Sequence, residues 1–328
     1  MQQYLSIHDV DDLASLVAEA KQLKANPLAH EQLGRQKTLV LLFMNPSLRT
    51  RLSTQKAAQN LGMNCIVMNL QQGWKLEFED GAVMNLDRAE HIKEAAAVIS
   101  QYADIIGILS SIGQRRKATD SNNISVLTDR AKDYEDFLIH QLVRHASVPV
   151  VSLESAIRHP LQSLADALTI EERKKTTRPK VVLTWAPHLK ALPQAVSNSF
   201  VEFMQAADVE LTITNPEGYD LAPQFVKETP ILHDQLAAFK DADFIYAKNW
   251  SAFEPYGQIL GKHEDWIINT DKMALTNQGK FMHCLPVRRN VVVADEVLDS
   301  EASLVIEQAN NRTFAAQTVL KKMLEFKP

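Results

Sequence analysis

The sequence predicts an α/β fold in which two doubly wound domains each contain a parallel sheet flanked by helices. Short apolar runs alternate with longer amphipathic stretches along the chain, a pattern typical of βαβ units. The 328 residues are enough for two domains of roughly 150 residues, each with its own core. A hydrophobic content of 45% and a charged content of 23% are ordinary for a globular protein.

The short apolar runs are predicted strands, and in chain order they are Thr38–Met44, Asn64–Leu70, Ile105–Leu109, Val148–Leu153, Lys180–Thr184, Glu210–Thr214, Phe244–Lys248, Trp266–Asn269 and Gly279–His283. The amphipathic stretches between them are predicted helices, among them Thr54–Leu61, Ala89–Gln101, Leu161–Glu172, Gln194–Ala207 and Ile231–Phe239. The charged segment 171–179 ends in proline and is expected to lead into the second sheet. We therefore place the first domain at residues 1–155 and the second at residues 156–309.

Charge and composition argue against several classes of partner. The net charge of −5 gives no reason to expect nucleic acid or an anionic membrane. No apolar stretch approaches the roughly 20 residues that span a bilayer, and the first residues do not resemble a signal peptide. Cys65 and Cys284 lie far apart without metal-ligand spacing. We therefore expect a cytoplasmic protein with no disulfide, no bound metal and no cofactor.

One segment predicts a phosphate site. The apolar run Thr38–Met44 is followed by the breaker Asn45-Pro46 and then by Ser47-Leu-Arg-Thr-Arg51 at the start of a helix. A helix start offers free backbone N–H groups and a partial positive charge, hydroxyl groups add donors, and an arginine can bind two oxygens at once. The alternative is a capped helix with two solvated arginines.

Three further segments also come after predicted strands or in polar loops. His159-Pro-Leu-Gln162 places an imidazole and an amide one helical turn apart, and His283-Cys-Leu-Pro286 follows a short apolar run. Trp74 lies in the polar loop 71–75. In open parallel sheets, ligands bind outside the carboxyl ends of the strands, which favours a binding site over a purely structural role.

In this order and spacing, the four segments resemble the transcarbamylase family from about residue 35 to the C-terminus. The family's carbamoyl-phosphate site uses a Ser-x-Arg-Thr-Arg loop, a His-Pro-x-Gln segment and a His-Cys-Leu-Pro segment. The resemblance implies that residues 310–328, with the predicted helix Phe314–Glu325, pack back on the first domain. It also implies a homotrimer in which Trp74 reaches the neighbouring subunit's site, with local loop packing as the alternative for Trp74.

The resemblance assigns roles for transfer of a carbamoyl group, which requires phosphate neutralisation, carbonyl polarisation and orientation of the attacking amine. His159 would donate to the carbonyl oxygen, Gln162 would hold the carbamoyl NH₂ group, and Cys284 would lie beside the amine. The alternatives are a helix-capping histidine for His159 and a small buried core residue for Cys284. The residues expected to contact carbamoyl phosphate are Ser47, Leu48, Arg49, Thr50, Trp74, His159, Gln162, Cys284, Leu285 and Arg312. A solvated helix arginine is the alternative for Arg312.

The acceptor amine is expected to be an N²-acylated ornithine. The sequence has Ser251-Ala-Phe where ordinary ornithine transcarbamylases carry Ser-Met-Gly. The segments 184–188, 246–250 and 272–276 instead resemble the acylornithine branch. That resemblance implies that Lys248 pairs with the α-carboxylate, that Glu154 lies near the acyl amide, and that His188 lines the pocket. A surface salt bridge is the alternative for Lys248.

Ala89 distinguishes between acetyl and succinyl substrates. In Asp87-Arg-Ala-Glu-His91 it stands where the acetyl-preferring enzymes have a glutamate, which would repel the extra carboxylate of a succinyl group. Arg288 is expected to pair with that carboxylate, and Leu285 to accept from the amine. The predicted reaction is therefore carbamoyl transfer to N²-succinyl-L-ornithine in arginine biosynthesis, giving N-succinylcitrulline and phosphate. Carbamoylation of N-acetyl-L-ornithine is the alternative.

The family arginine expected after the strand Ile105–Leu109 is missing, because Leu109 is followed by two serines. Arg115 or Arg116 in the polar segment that follows is the candidate replacement, and a solvated loop without a catalytic part is the alternative. This departure leaves open a non-catalytic paralogue that binds carbamoyl phosphate or an acylated amino acid. A dinucleotide-dependent oxidoreductase is disfavoured because no Gly-x-Gly-x-x-Gly turn follows any predicted strand.

Overall fold

The computed structural model describes residues 1–70, 74–85, 87–110 and 129–326. The strands are Gln3–Tyr4 (β1), Thr38–Phe43 (β2), Asn64–Asn69 (β3), Leu76–Glu77 (β4), Glu90–His91 (β5), Ile105–Leu109 (β6), Val150–Glu154 (β7), Lys180–Trp185 (β8), Glu210–Thr214 (β9), Ile231–Leu232 (β10), Phe244–Lys248 (β11) and Lys280–Met282 (β12). The helices are Leu13–Ala25 (α1), Leu48–Asn60 (α2), Ile92–Tyr102 (α3), Arg130–Tyr134 (α4), Phe137–His145 (α5), Pro160–Arg173 (α6), Ala195–Ala206 (α7), Pro223–Val226 (α8), Gln235–Phe239 (α9), Thr270–Met273 (α10), Asp295–Leu298 (α11) and Val305–Glu325 (α12). None of these helices is both long enough and apolar enough to cross a membrane.

The chain divides into two compact units, and within the residues that the structure describes on either side of a division, the points of division fall inside helices. The first unit contains the described residues of 1–110, 129–161 and 312–326, and the second contains residues 162–311. One division lies in α6 after Leu161, and the other lies in α12 after Asn311. The domain limits expected from the sequence lie a few residues before these points and stay a prediction.

The first unit is built on a five-stranded parallel sheet with the order β1-β7-β6-β2-β3. Residues 39–43 of β2 are all buried, as expected of a strand whose two faces are both covered. Gly107 in β6 permits this close packing, because a Cβ there would lie 2.7 Å from the Leu41 side chain and 3.3 Å from that of Leu153. β4 and β5 form a separate two-stranded parallel sheet.

The second unit is built on another five-stranded parallel sheet, with the order β10-β9-β8-β11-β12. In the first sheet β1 forms the edge beside β7, and the later strands, like those of the second sheet, extend to one side of a starting strand before the chain crosses to its other side. The crossing lies between β2 and β6 in the first sheet and between β8 and β11 in the second. Such switch points are where open parallel sheets bind ligands, and the predicted α/β fold class is confirmed.

The C-terminal part of α12 packs on the first unit, as predicted. The Gln317 side chain accepts from the Asn60 amide at 2.9 Å and donates to the Pro27 carbonyl at 2.7 Å. The Lys321 ammonium lies 2.7 Å from the Glu19 carboxylate. The helix begins at Val305, earlier than the predicted Phe314.

Two predicted elements are wrong. The segment Trp266–Asn269 is not a strand, because the 3₁₀ turn Glu264–Trp266 enters it and only Ile268 forms a bridge, with Val293. The segment 231–239 is not one helix. Its first residues pair with β9 as β10, and Asp234 then caps α9 by accepting from two backbone amides. The helix predicted over 89–101 begins at Ile92, because Glu90–His91 pair with β4.

Candidate active site

The segment Ser47–Arg51, which the sequence predicts to bind phosphate, lies at the carboxyl end of β2 and forms the start of α2. Ser47 is the N-cap residue in extended conformation, and its hydroxyl donates to the Thr50 hydroxyl at 2.9 Å. Among the described residues its side chain makes no capping bond to the helix amides. Leu48 is exposed, and Arg49 is half-buried. The backbone N–H groups of the first turn and these side chains surround the helix end, where an anion is favoured.

Arg312 reaches the same place from α12. It is buried, and its Nη2 donates to the Thr50 hydroxyl oxygen at 2.5 Å. Thr50 therefore accepts from both Ser47 and Arg312, and its own O–H remains able to donate. The second arginine of the segment is used differently, because Arg51 donates to the Asn69 side chain at 2.5 Å and lies 4.4 Å over the Phe43 ring. The alternative, that Arg312 is a solvated helix arginine, is thereby excluded.

Glu154 is the last residue of β7, and His159 follows it closely in the first unit. The tight loop between them is closed by the Ser155 amide, which donates to the Arg158 carbonyl at 2.7 Å. His159 is buried, and its Nε2 lies 3.8 Å from the nearer Glu154 carboxylate oxygen. A buried imidazole beside a carboxylate at the start of α6 can serve as a donor to a carbonyl oxygen.

The His-Cys-Leu-Pro segment follows β12 in the second unit. His283 and Cys284 are buried, and the Leu285 amide donates to His283 Nδ1 at 2.9 Å. The Leu285–Pro286 peptide is cis, and Leu285 has a φ of +56°, in the left-handed region. The geometry directs the chain sharply after Cys284.

Gln162 is fully buried in α6, and its Nε2 donates to Asp166 Oδ1 at 2.7 Å. The Tyr246 hydroxyl in β11 lies near both Asp166 and Cys284. Burial, and then the proximity of these two groups, raises the pKa of Tyr246 well above its usual range. The second unit therefore brings Gln162 and Cys284 to a shared polar cluster.

A cationic group lies at the carboxyl ends of β8 and β11. Arg288 Nε donates to His188 Nε2 at 3.2 Å, so the ring proton lies on Nδ1, which donates to the Lys190 carbonyl at 3.0 Å. Burial lowers the pKa of His188, and Lys248, Arg288 and Lys190 lower it further, against the opposing effect of the Lys190 carbonyl. An arrangement of lysine and arginine around an imidazole is suited to carboxylate groups.

Trp74 and Ala89 lie at the small β4–β5 sheet of the first unit. Trp74 is 52% exposed, and its indole N–H donates to the Glu90 carboxylate at 2.8 Å. The Ala89 amide donates to the Lys75 carbonyl at 2.9 Å, and Ala89 is exposed. The structure thus places the two residues in one exposed region, whereas Lys248, His188 and Arg288 belong to the second unit.

Some expected features lie elsewhere or were not found from the sequence. Ser110 follows β6, is buried, and donates from its amide to the Glu154 carbonyl at 2.8 Å, while Arg115 and Arg116 lie outside the described residues.

Sequence reasoning missed Asp166, Gln308 and Tyr246. The one local signal was an aspartate one helical turn after Gln162. In the part of the chain that the structure describes, no group of three or more His, Cys, Asp or Glu could hold a metal ion.

Comparison with known proteins agrees with this arrangement. Residues 2–172 match the family model "Aspartate/ornithine carbamoyltransferase, carbamoyl-P binding domain", and residues 193–323 match "Aspartate/ornithine carbamoyltransferase, Asp/Orn binding domain". These two models cover most of the chain. The chain therefore belongs to the aspartate/ornithine carbamoyltransferase family, and the resemblance seen in the sequence is confirmed.

Individual relatives lie in the acylornithine branch. The N-succinylornithine carbamoyltransferase of Bacteroides thetaiotaomicron is 50% identical over an alignment of 328 positions, which covers 99% of this chain and 99% of its own. The N-acetylornithine carbamoyltransferase of Xanthomonas campestris is 35% identical over 95% of this chain and 94% of its own. A solved structure of an N-acetyl-L-ornithine transcarbamylase, with a glutamate replaced by alanine and complexed with carbamyl phosphate and N-succinyl-L-norvaline, matches with a TM-score of 0.89. It is 32% identical and covers 98% of this chain and 100% of that one.

Proposed function

We propose that this protein is a carbamoyltransferase that moves the carbamoyl group of carbamoyl phosphate to the δ-amine of N²-succinyl-L-ornithine. The products are N-succinylcitrulline and phosphate, and the reaction serves arginine biosynthesis in the cytoplasm. The observation that carries the proposal is the 50% identity, over almost the full length of both chains, to a relative named N-succinylornithine carbamoyltransferase. The absence of a glutamate at Ala89 supports the same acyl group.

In the proposed reaction, the first unit binds the phosphate. The proposed donors are the Leu48 backbone amide and the side chains of Ser47, Arg49, Thr50 and Arg312. The hydrogen bonds that join Ser47, Thr50 and Arg312 support this assignment, because they hold three donor groups at the positively polarised end of α2. His159 donates to the carbamoyl oxygen, where negative charge develops as the amine adds.

The chemical step needs no covalent intermediate with the protein. The δ-amine nitrogen attacks the carbamoyl carbon, the bond from that carbon to the phosphate oxygen breaks, and phosphate leaves with this oxygen. The nitrogen loses one proton as the new C–N bond forms, and the leaving phosphate takes it up. Gln162 holds the carbamoyl NH₂ group, while Cys284 and the Leu285 carbonyl orient the amine.

The acylornithine is bound by its negative charges. We assign the α-carboxylate to Lys248, with His188 lining the same pocket, and the succinyl carboxylate to Arg288. The 3.2 Å bond between Arg288 and His188 supports a common site for these residues. Glu154 is assigned to the acyl amide, although its carboxylate lies near His159 in the first unit. Ala89 leaves room for the succinyl group without a repelling charge. The complex of a Glu-to-Ala variant of a relative with N-succinyl-L-norvaline is consistent with this assignment.

We also propose a homotrimer in which Trp74 reaches the neighbouring subunit's site. The exposure of Trp74 supports this proposal, because a large aromatic side chain on the surface gains most free energy when a partner covers it.

The proposed reaction is tested by incubating the protein with ¹³C-labelled carbamoyl phosphate and N-succinylornithine, and identifying the product by mass spectrometry. The expected result is N-succinylcitrulline with the label in its ureido carbon, formed in amounts that exceed the protein many times over. Binding of carbamoyl phosphate, detected as a rise in melting temperature, without any product would instead identify a non-catalytic paralogue. The lack of an arginine directly after β6 is the observation that keeps this second candidate open.

A further inference from the structure

A buried carboxylate joins the two polar segments of the second unit. Asp166 lies in α6 with 0% of its surface exposed. Its Oδ1 accepts from Gln162 Nε2 and from Gln308 Nε2, each at 2.7 Å. Gln308 comes from α12, far away in the sequence, so this cluster forms only when the second unit has folded. Two short hydrogen bonds from amide groups offset part of the cost of burying a carboxylate.

The carboxylate determines which way the Gln162 amide points. A carboxylate can only accept hydrogen bonds, so the Gln162 NH₂ group must face Asp166 and the Oε1 atom must face away. Gln162 Oε1 is buried and has no hydrogen-bond partner among the residues that the structure describes. A buried acceptor without a partner is costly, so the favourable state is one in which a donor reaches it. The NH₂ group of a carbamoyl compound is such a donor.

The same carboxylate also fixes the segment that contains Cys284. Gln308 donates to Asp166 with its NH₂ group, so its Oε1 is turned the other way, and it accepts from the His283 amide at 2.9 Å. This bond holds the backbone at the end of β12. The orientation of two amide side chains and of one backbone segment thus depends on one acceptor atom.

We infer that Asp166 is a positioning residue that sets the direction of the Gln162 amide, so that Oε1 recognises the carbamoyl NH₂ group, and that anchors the His283–Cys284 backbone through Gln308. The inference rests on the proposed function, because it takes carbamoyl phosphate as the ligand. Asp166 itself exchanges no proton and contacts no substrate. It acts as a hydrogen-bond acceptor, and its negative charge is not required.

Two substitutions separate this role from the alternatives. Asp166→Asn keeps an oxygen that can accept both bonds, whereas Asp166→Leu has a similar volume and no acceptor. The readouts are the KM for carbamoyl phosphate, kcat, and the Ki for inorganic phosphate, which lacks the carbamoyl NH₂ group. Asp208→Asn, at an exposed position of the same unit, is the matched control and should behave as the unmodified protein.

We expect Asp166→Leu to raise the KM for carbamoyl phosphate by roughly 10- to 100-fold, which is the effect of losing one or two buried hydrogen bonds. The Ki for inorganic phosphate should stay unchanged. Asp166→Asn should lose no more than about fivefold on the same reasoning. The inference is wrong if Asp166→Leu leaves the KM unchanged, or if phosphate and carbamoyl phosphate are weakened equally. It is also wrong if Asp166→Asn is as damaging as Asp166→Leu, because the charge would then be the essential property.

A rescue experiment covers the case in which Asp166→Leu does not fold. Gln162→Glu places a second carboxylate against that of Asp166 and should strongly weaken the binding of carbamoyl phosphate. Adding Asp166→Asn supplies a donor for Glu and reverses the hydrogen bond, so the double variant should recover at least about tenfold. No recovery would overturn the inference. If the unmodified protein fails to bind carbamoyl phosphate at all, the proposed function fails, and that result is distinct from either outcome above.

Discussion

Replacing Arg312 by glutamine tests the proposed binding site for the phosphate group of carbamoyl phosphate. Arg312 is buried and donates to Thr50 at 2.5 Å, and Thr50 also accepts from Ser47, so the guanidinium anchors the donor cluster at the start of α2. A hydrogen bond to a charged group contributes about 1.5–3 kcal/mol, and its loss should raise the KM for carbamoyl phosphate by roughly 10- to 150-fold. Steady-state kinetics at saturating acylornithine measures this effect.

Arg51→Gln is the matched control, because Arg51 belongs to the same segment but is used by the Asn69 side chain and the Phe43 ring. Its loss should lower the free energy of unfolding by about 1–2 kcal/mol and leave the KM for carbamoyl phosphate unchanged. The melting temperature of each variant, measured with and without carbamoyl phosphate, separates binding from stability. The assignment of the phosphate site would be refuted if Arg51→Gln raised the KM more than Arg312→Gln did.

Three further predictions concern the acylornithine and the oligomer. Ala89→Glu should weaken the binding of N-succinylornithine by about 1–3 kcal/mol, because two carboxylates roughly 5 Å apart repel each other. The binding of N-acetylornithine should be unchanged, and equal effects on the two substrates in parallel assays would contradict this. The pKa of His188 lies below its usual 6.5 because of burial and nearby cations, and a bound carboxylate favours the protonated form. The KM for acylornithine should therefore fall as the pH falls below about 6.5, and His188→Gln should remove this trend; identical pH profiles would disprove the role. Trp74→Ala should lower kcat/KM by roughly 30-fold or more, as for an aromatic anchor, with the oligomeric state unchanged by sedimentation; full activity would show that Trp74 only packs locally.

The architecture could be predicted because parallel strands that are covered on both faces appear in the sequence as short, uniformly apolar runs. Residues 39–43 are uniformly apolar, and the helix that follows begins after an obvious break at Asn45-Pro46. The errors came where local chemistry overrides periodicity. Asp234 starts a new helix by capping two amides, so the apolar residues before it were free to pair as a strand.

Of the candidate site, only the residues that belong to short local motifs could be predicted from the sequence. The positions of Ser47, His159 and Cys284 follow strand ends and could be found from the sequence. The Asp166 cluster could not, because Gln308 is brought to it by tertiary folding across 142 positions of sequence. Similarly, the contacts of Arg51 with the Asn69 side chain and the Phe43 ring depend on tertiary packing and could not be found from the sequence.

The most direct test of the central claim is the kcat/KM for N-succinylornithine, N-acetylornithine and ornithine, each measured with saturating carbamoyl phosphate under one set of conditions. We predict that the succinyl substrate has the highest value and that ornithine, with its free α-ammonium group, gives little or no turnover. A higher value for N-acetylornithine would keep the carbamoyltransferase and contradict the roles of Ala89 and Arg288. A preference for ornithine would contradict the placement of this enzyme's substrate among the acylated ornithines.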